Sequence, residues 1–84
     1  MKRIRLTTHA QLQCSERGAT EEEVVQAIRE GTREPAKKGR FLCRYNFPFN
    51  RMWQRTSYPV KQVAPIICEE PDEIVVITVY TYYF

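Results

Sequence analysis

At 84 residues, with 13 Lys and Arg against 10 Asp and Glu, the chain has the length of one small domain, 1–84, with a single core and room for one site. It holds no apolar run of the roughly 18 residues that a membrane span requires, and its start, Met1 to His9, lacks the apolar stretch of a signal peptide; a cytoplasmic protein with no membrane partner is expected. Cys14, Cys43 and Cys68 are scattered without Cys-x-x-Cys spacing and share the chain with one histidine, which argues for reduced thiols in a core and against a zinc site or any other metal or cofactor.

Ile4 and Leu6 lie at strand spacing and predict a short edge strand over 2–6. Thr7 or Thr8 then offers a cap for a first helix over about 9–17, which Gly18 ends in the usual left-handed conformation. On that helix His9, Gln13 and Arg17 form one polar stripe, flanked by Ala10 and Leu12, on the face expected to look inward or into a cleft. Thr20, with Glu23 three residues on, reads as a capping box, and the three glutamates Glu21 to Glu23 suit the positive end of a helix dipole. Val24, Val25, Ala27 and Ile28 give this second helix one apolar face, and Gly31 ends it. Residues 32–39 are polar, contain Pro35 and predict a loop.

Beyond residue 39 the apolar period changes from 3.6 to 2. Phe41, Cys43, Tyr45 and Phe47 alternate with Arg40, Leu42, Arg44 and Asn46, a strand with one basic face. Pro48 and Asn50 predict a turn or irregular connection, and residues 57–67 a further strand, with Pro59 and Pro65 implying edge or bulge positions. Residues 33–63 carry eight bases and one acid, whereas 64–84 carry four acids and no base. Cations interleaved with aromatic rings in the middle third are the mixture that a single-stranded nucleic acid binds, with Arg40, Arg44, Arg51 and Arg55 as the expected RNA contacts. Trp53 and Tyr58 read as core or loop rings rather than stacking platforms. After the acidic turn 69–73, Ile74 to Phe84 is wholly β-branched or aromatic and predicts the central strand. Strict alternation places Val75, Ile77, Val79, Thr81 and Tyr83 on one face, and Ile74, Val76, Thr78, Tyr80, Tyr82 and Phe84 on the other. The fold class expected is α+β, with two N-terminal helices packed on one face of an antiparallel sheet of three to four strands.

His9, the run Glu16-Arg17-Gly18-Ala19-Thr20-Glu21-Glu22-Glu23-Val24, Ala27-Ile28, Gly31 and the closing Ile77-Thr78-Val79-Tyr80 resemble, in this order, the small bacterial family called domain of unknown function 4258. The resemblance covers nearly the whole chain. It implies a fold similar to the RelE and barnase-like ribonuclease toxins, an RNase activity that needs no metal, and an antitoxin protein as partner. The family commonly has an arginine one helical turn after its histidine, where this chain has Gln13, and a larger aliphatic residue at the position of Ala19.

Metal-free RNA cleavage needs a proton acceptor for the ribose 2′-hydroxyl, cations for the charge that develops on the phosphate, and an acid for the departing 5′-oxygen. His9 is the one side chain here whose ordinary pKa lies near neutrality. Arg17 and Lys61, with Arg40, are the expected phosphate clamps, and Tyr80 the acid or orienting hydroxyl. The alternative is a non-catalytic module that binds nucleic acid or another protein through its basic, aromatic sheet. The apolar final strand also allows pairing across a homodimer.

Overall fold

Each of the two helices starts at a threonine that caps it. In the computed structural model, which describes residues 2–84, the Ala10 N–H donates to the Thr7 hydroxyl (3.1 Å) at the start of α1 (Thr8–Arg17). Gly18 closes α1 at φ 77°, in the left-handed region. At the start of α2 (Glu21–Glu30) the capping box is complete: Glu23 N–H donates to Thr20 Oγ1 (3.1 Å) and Thr20 N–H to Glu23 Oε1 (3.0 Å). Gly31 ends α2 for a different reason. Its backbone is extended, and a Cβ there would stand 2.3 Å from the Arg44 carbonyl oxygen, so the glycine permits close approach of helix to sheet.

The strands are β1 (Arg3–Leu6), β2 (Thr32–Pro35), β3 (Phe41–Trp53), β4 (Thr56–Glu69) and β5 (Glu73–Tyr83), in the sheet order β1-β5-β4-β3-β2. β1 runs parallel to β5, and the other neighbours are antiparallel. The chain is α+β, but the sheet has five strands rather than three or four and is mixed rather than antiparallel, and both helices lie between β1 and the rest. β2 falls in the expected loop because all four of its residues are exposed, leaving no apolar alternation to read. β5 is not central. It has only the short β1 beyond it, and the central strand is β4, which pairs with both β3 and β5.

Two irregularities set the faces of the sheet. Pro48 and Asn50 do not end β3; they form a bulge inside it, with Asn50 at φ 50°, before the strand reaches the two-residue turn Gln54-Arg55. In the β4–β5 ladder Ile66 pairs with Thr78 but Ile67 with Val76, so β5 gains one residue there. That extra residue breaks the expected alternation: Val76 and Val79, predicted on opposite faces, are both fully buried in the core. Pro65 stands in the central strand, beside this bulge, and the β3–β4 ladder skips Cys43 and Arg44 opposite it. A residue without an N–H is tolerated where the ladder is already interrupted.

The core joins Ala10 and Cys14 of α1 and Val24 and Ile28 of α2 to Cys43, Val63, Ile67, Val76 and Val79 of the sheet. Each buried Val or Ile contributes about 1.5–3 kcal/mol. The alternate positions, among them Arg44, Asn46, Gln62, Tyr80 and Tyr82, belong to the opposite face of the sheet. At the far end the acidic β4–β5 turn is matched by bases: Lys2 and Arg33 reach Glu69, and Arg5 pairs with Glu73 (3.0 Å). No helix among the described residues is long and apolar enough to cross a membrane.

Candidate nucleic-acid interface

β1 ends at Leu6, opposite Val76, so from Ile77 onward one edge of β5 has no strand beside it. α1 takes that place. Thr7 donates its N–H to Val76 O (3.1 Å) and its hydroxyl to Ile77 O (3.5 Å), Val79 N–H donates to Gln13 Oε1 (2.8 Å), and Arg17 Nη1 donates to Val79 O (2.7 Å). Side chains of the helix thereby satisfy backbone groups that a sixth strand would otherwise satisfy. Gln13 is buried to do this. The acceptor role also explains the residue type, since an arginine at position 13 has no acceptor to offer Val79.

The outer part of the same stripe is more exposed at His9, whereas Arg17 is half-buried and keeps its bond to Val79 O. His9, one turn before Gln13, is exposed, and it makes no hydrogen bond to another side chain among the described residues. The Arg17 guanidinium carbon lies 5.4 Å from the centre of the Tyr80 ring, and Tyr80 stacks on Tyr82 at 6.5 Å and 24°. Both rings are exposed, Tyr80 by 37% and Tyr82 by 45%. Arg17, Tyr80 and Tyr82 therefore meet at the rim where α1 overhangs the helix-free face. From His9 to Arg17 is about 12 Å along the helix axis, at 1.5 Å per residue.

Lys61 lies on the other side of the same turn and is 3% exposed. Its ammonium donates to Gly18 O (3.0 Å) and pairs with Glu23 Oε2 (2.8 Å). Thr81 Oγ1 (3.0 Å) and the Tyr83 hydroxyl (2.7 Å) donate to Arg17 O. Together these three side chains satisfy two carbonyls at the C-terminus of α1, those of Arg17 and Gly18, and the cation there also suits the helix dipole. Burial pushes the Tyr83 phenol up, which keeps it a neutral donor; the Thr81 hydrogen bond opposes this in part. Cys14 and Cys43 are also buried, which raises both thiols and leaves them unreactive as nucleophiles.

The four expected RNA contacts do not form one patch. Arg40 precedes β3 while Arg51 and Arg55 stand near the hairpin tip, and a strand of 13 residues spans about 40 Å. Arg44 is held between Glu34 Oε2 (3.2 Å) and Gln62 Oε1 (3.0 Å), with Gln62 in turn donating to Asn46 (2.8 Å). Among the described residues Arg17, Arg40, Arg51 and Arg55 have no acidic partner within 4.0 Å, whereas Arg44 and Lys61 do. Tyr82 and Glu23 are additions to the expected set. Tyr82 is legible as the next outward residue after Tyr80, but nothing local pairs Glu23 with a lysine 38 positions later.

No protein-family model, curated protein or solved structure matches this chain.

Proposed function

We propose that this chain is a metal-independent endoribonuclease of toxin type, RelE-like in architecture and related to the domain of unknown function 4258 family, which cleaves RNA lying along the rim between α1 and β5. The observation that carries the reading is the guanidinium of Arg17 packed against the exposed Tyr80 ring, on the same helical stripe as the exposed His9. His9 accepts the proton of a ribose 2′-hydroxyl, whose oxygen attacks the adjacent phosphorus. The bond from phosphorus to the 5′-oxygen breaks, Arg17 offsets the charge on the phosphate oxygens, and the Tyr80 hydroxyl supplies or relays the proton to the leaving oxygen. The products are a 2′,3′-cyclic phosphate and a 5′-hydroxyl. Tyr82 extends the ring surface on which a neighbouring base stacks. In this reading Lys61 positions the Arg17–Gly18 turn from behind, and an antitoxin masks the rim.

The test is cleavage of mixed RNA by the purified chain in EDTA, with end-group analysis, beside His9→Ala and Tyr80→Phe. Cyclic-phosphate ends that fall by about 10²-fold or more with His9→Ala support the proposal. RNA left intact by the wild-type chain overturns it. A second reading, a non-catalytic RNA-binding module, is favoured by the separation of His9 from Arg17 along α1. Intact RNA whose mobility shifts in a salt-dependent way, and no longer does so with Tyr80→Ala and Tyr82→Ala combined, selects that reading.

A further inference from the structure

A second concave feature lies across the α1 C-terminal turn from the rim. It is a cleft of about 230 Å³ between Gly18 and the arm formed by β3 and β4, lined chiefly by Phe49, Arg51, Met52, Trp53 and Tyr83. Trp53 stacks on Tyr83 at 4.8 Å and 14°, and a Cβ on Gly18 would stand 2.7 Å from the Trp53 ring. Only a glycine lets the indole lie that close to the helix end. Lys61 closes the back of the cleft, fully engaged by Glu23 and Gly18.

The mouth of the cleft is basic and unneutralised. The Arg51 guanidinium carbon lies 4.9 Å over the Phe49 ring and the Lys61 ammonium 5.4 Å over it, and Arg51 has no acidic partner among the described residues. No acid lines the cleft. Met52 is 65% exposed beside it. The turn that carries Arg55 is also strained: Gln54 and Arg55 have φ 50° and 72°, the left-handed geometry of a two-residue hairpin turn that Asn-Gly or Asp-Gly adopts without cost. Two long side chains held there at a cost of about 1–2 kcal/mol each locate the strain beside the cleft.

We propose that this cleft is a nucleotide subsite, in which one unpaired base of a single-stranded RNA stacks against the Trp53 ring while Arg51 holds a flanking phosphate. The volume falls below the roughly 300–1,000 Å³ of pockets for whole small-molecule ligands and suits a single flat ring system with its phosphate outside. A flat aromatic wall with an unpaired guanidinium at the mouth is complementary to that occupant and repels a cationic one. The subsite rests on the proposed RNA reading, and Arg17 of the rim and Gly18 of the cleft are consecutive residues. It does not depend on cleavage.

Trp53 is the only tryptophan in the chain, so its fluorescence reports on this cleft alone. The experiment titrates the full chain with adenosine, guanosine, cytidine and uridine 5′-monophosphates and, separately, with inorganic phosphate, reading Trp53 emission. The expected result is saturable quenching by at least one nucleotide at millimolar concentration or below, little change with phosphate alone, and at least a fivefold weakening in Arg51→Ala. His9→Ala, which leaves the cleft intact, binds as the wild type does even if it abolishes cleavage, so the two proposals fail separately. Because Arg51 is exposed, loss of fold does not confuse its variant, and circular dichroism checks this directly. Quenching by none of the four nucleotides, equal quenching by phosphate alone, or unchanged binding in Arg51→Ala would each overturn the subsite.

Discussion

Replacing Lys61 with methionine separates an anchoring role from contact with RNA. Methionine keeps most of the length of the stem and removes the ammonium, whose side chain is 4% exposed and stands 2.8 Å from Glu23 and 3.0 Å from Gly18 O. Breaking a fully buried ion pair from one side costs about 3–5 kcal/mol, and leaving a buried carbonyl without its donor costs about 1–3 kcal/mol. Glu23 moderates the sum, because its side chain is 21% exposed and keeps the Thr20 N–H, so its carboxylate can recover water. A net loss of about 2–4 kcal/mol is expected, which for a domain of this size lowers Tm by roughly 10–25 °C. Urea unfolding followed through Trp53 should show a lower midpoint at unchanged slope. Adding Glu23→Gln to the Lys61→Met chain should cost little more, with a coupling energy of at least about 1 kcal/mol. A loss below about 1 kcal/mol for Lys61→Met would mean that the pair is solvated and the anchoring argument is wrong. If the variant instead stays folded and loses cleavage beyond its unfolded fraction, Lys61 touches RNA.

Gln13→Leu should destabilise by about 1–3 kcal/mol, because Val79 N–H is then buried without an acceptor, and Gln13→Arg should act in the same direction. Amide exchange of Val79 is the direct readout, and unchanged protection in Gln13→Leu would refute the edge-capping role of α1. At low pH the acidic β4–β5 turn should loosen. Hydrogen bonds from Lys2 and then Arg33 hold the Glu69 carboxyl below its ordinary 4.5, and a hydrogen bond from Arg5 does the same for Glu73. A folded-state value below the unfolded one gives stability that is complete above the unfolded value and lost as pH falls through the folded one. Tm at low salt should therefore drop below about pH 4.5, less steeply in Arg5→Ala, and parallel profiles for the two chains would contradict this.

The helices are legible in the sequence because their start and stop signals are local. Thr7 with Gly18, and Thr20 with Glu23, act within three or four residues of backbone, and they bound both helices to within a residue of where the structure has them. The strands are legible only where burial writes a pattern. β2 has no buried residue and so leaves no trace, and Pro48 and Asn50 read as a break because a bulge and a turn use the same residue types. The alternation in β5 misleads beyond Ile77 for the same reason. One extra residue moves every later side chain to the other face, and nothing in eleven β-branched and aromatic residues marks where it sits.

The candidate site divides in the same way. The polar stripe His9, Gln13, Arg17 follows from helical spacing alone, and the cations and rings of the middle third from composition alone. Which of those groups are free to meet a ligand was decided by the tertiary structure. Lys61 and Gln13 are turned inward, onto Glu23 and Gly18 and onto Val79, while His9 stays exposed and Arg17, half-buried, divides its guanidinium between Val79 O and the Tyr80 ring at the rim. The physical reason is that a buried polar group must find a partner, and here the partners are far off in the chain: Gly18, at the end of α1, is 43 residues from Lys61, and Val79, in β5, is 66 residues from Gln13. Local sequence sets what each side chain is able to bond, and only the folded chain sets what it has left to offer.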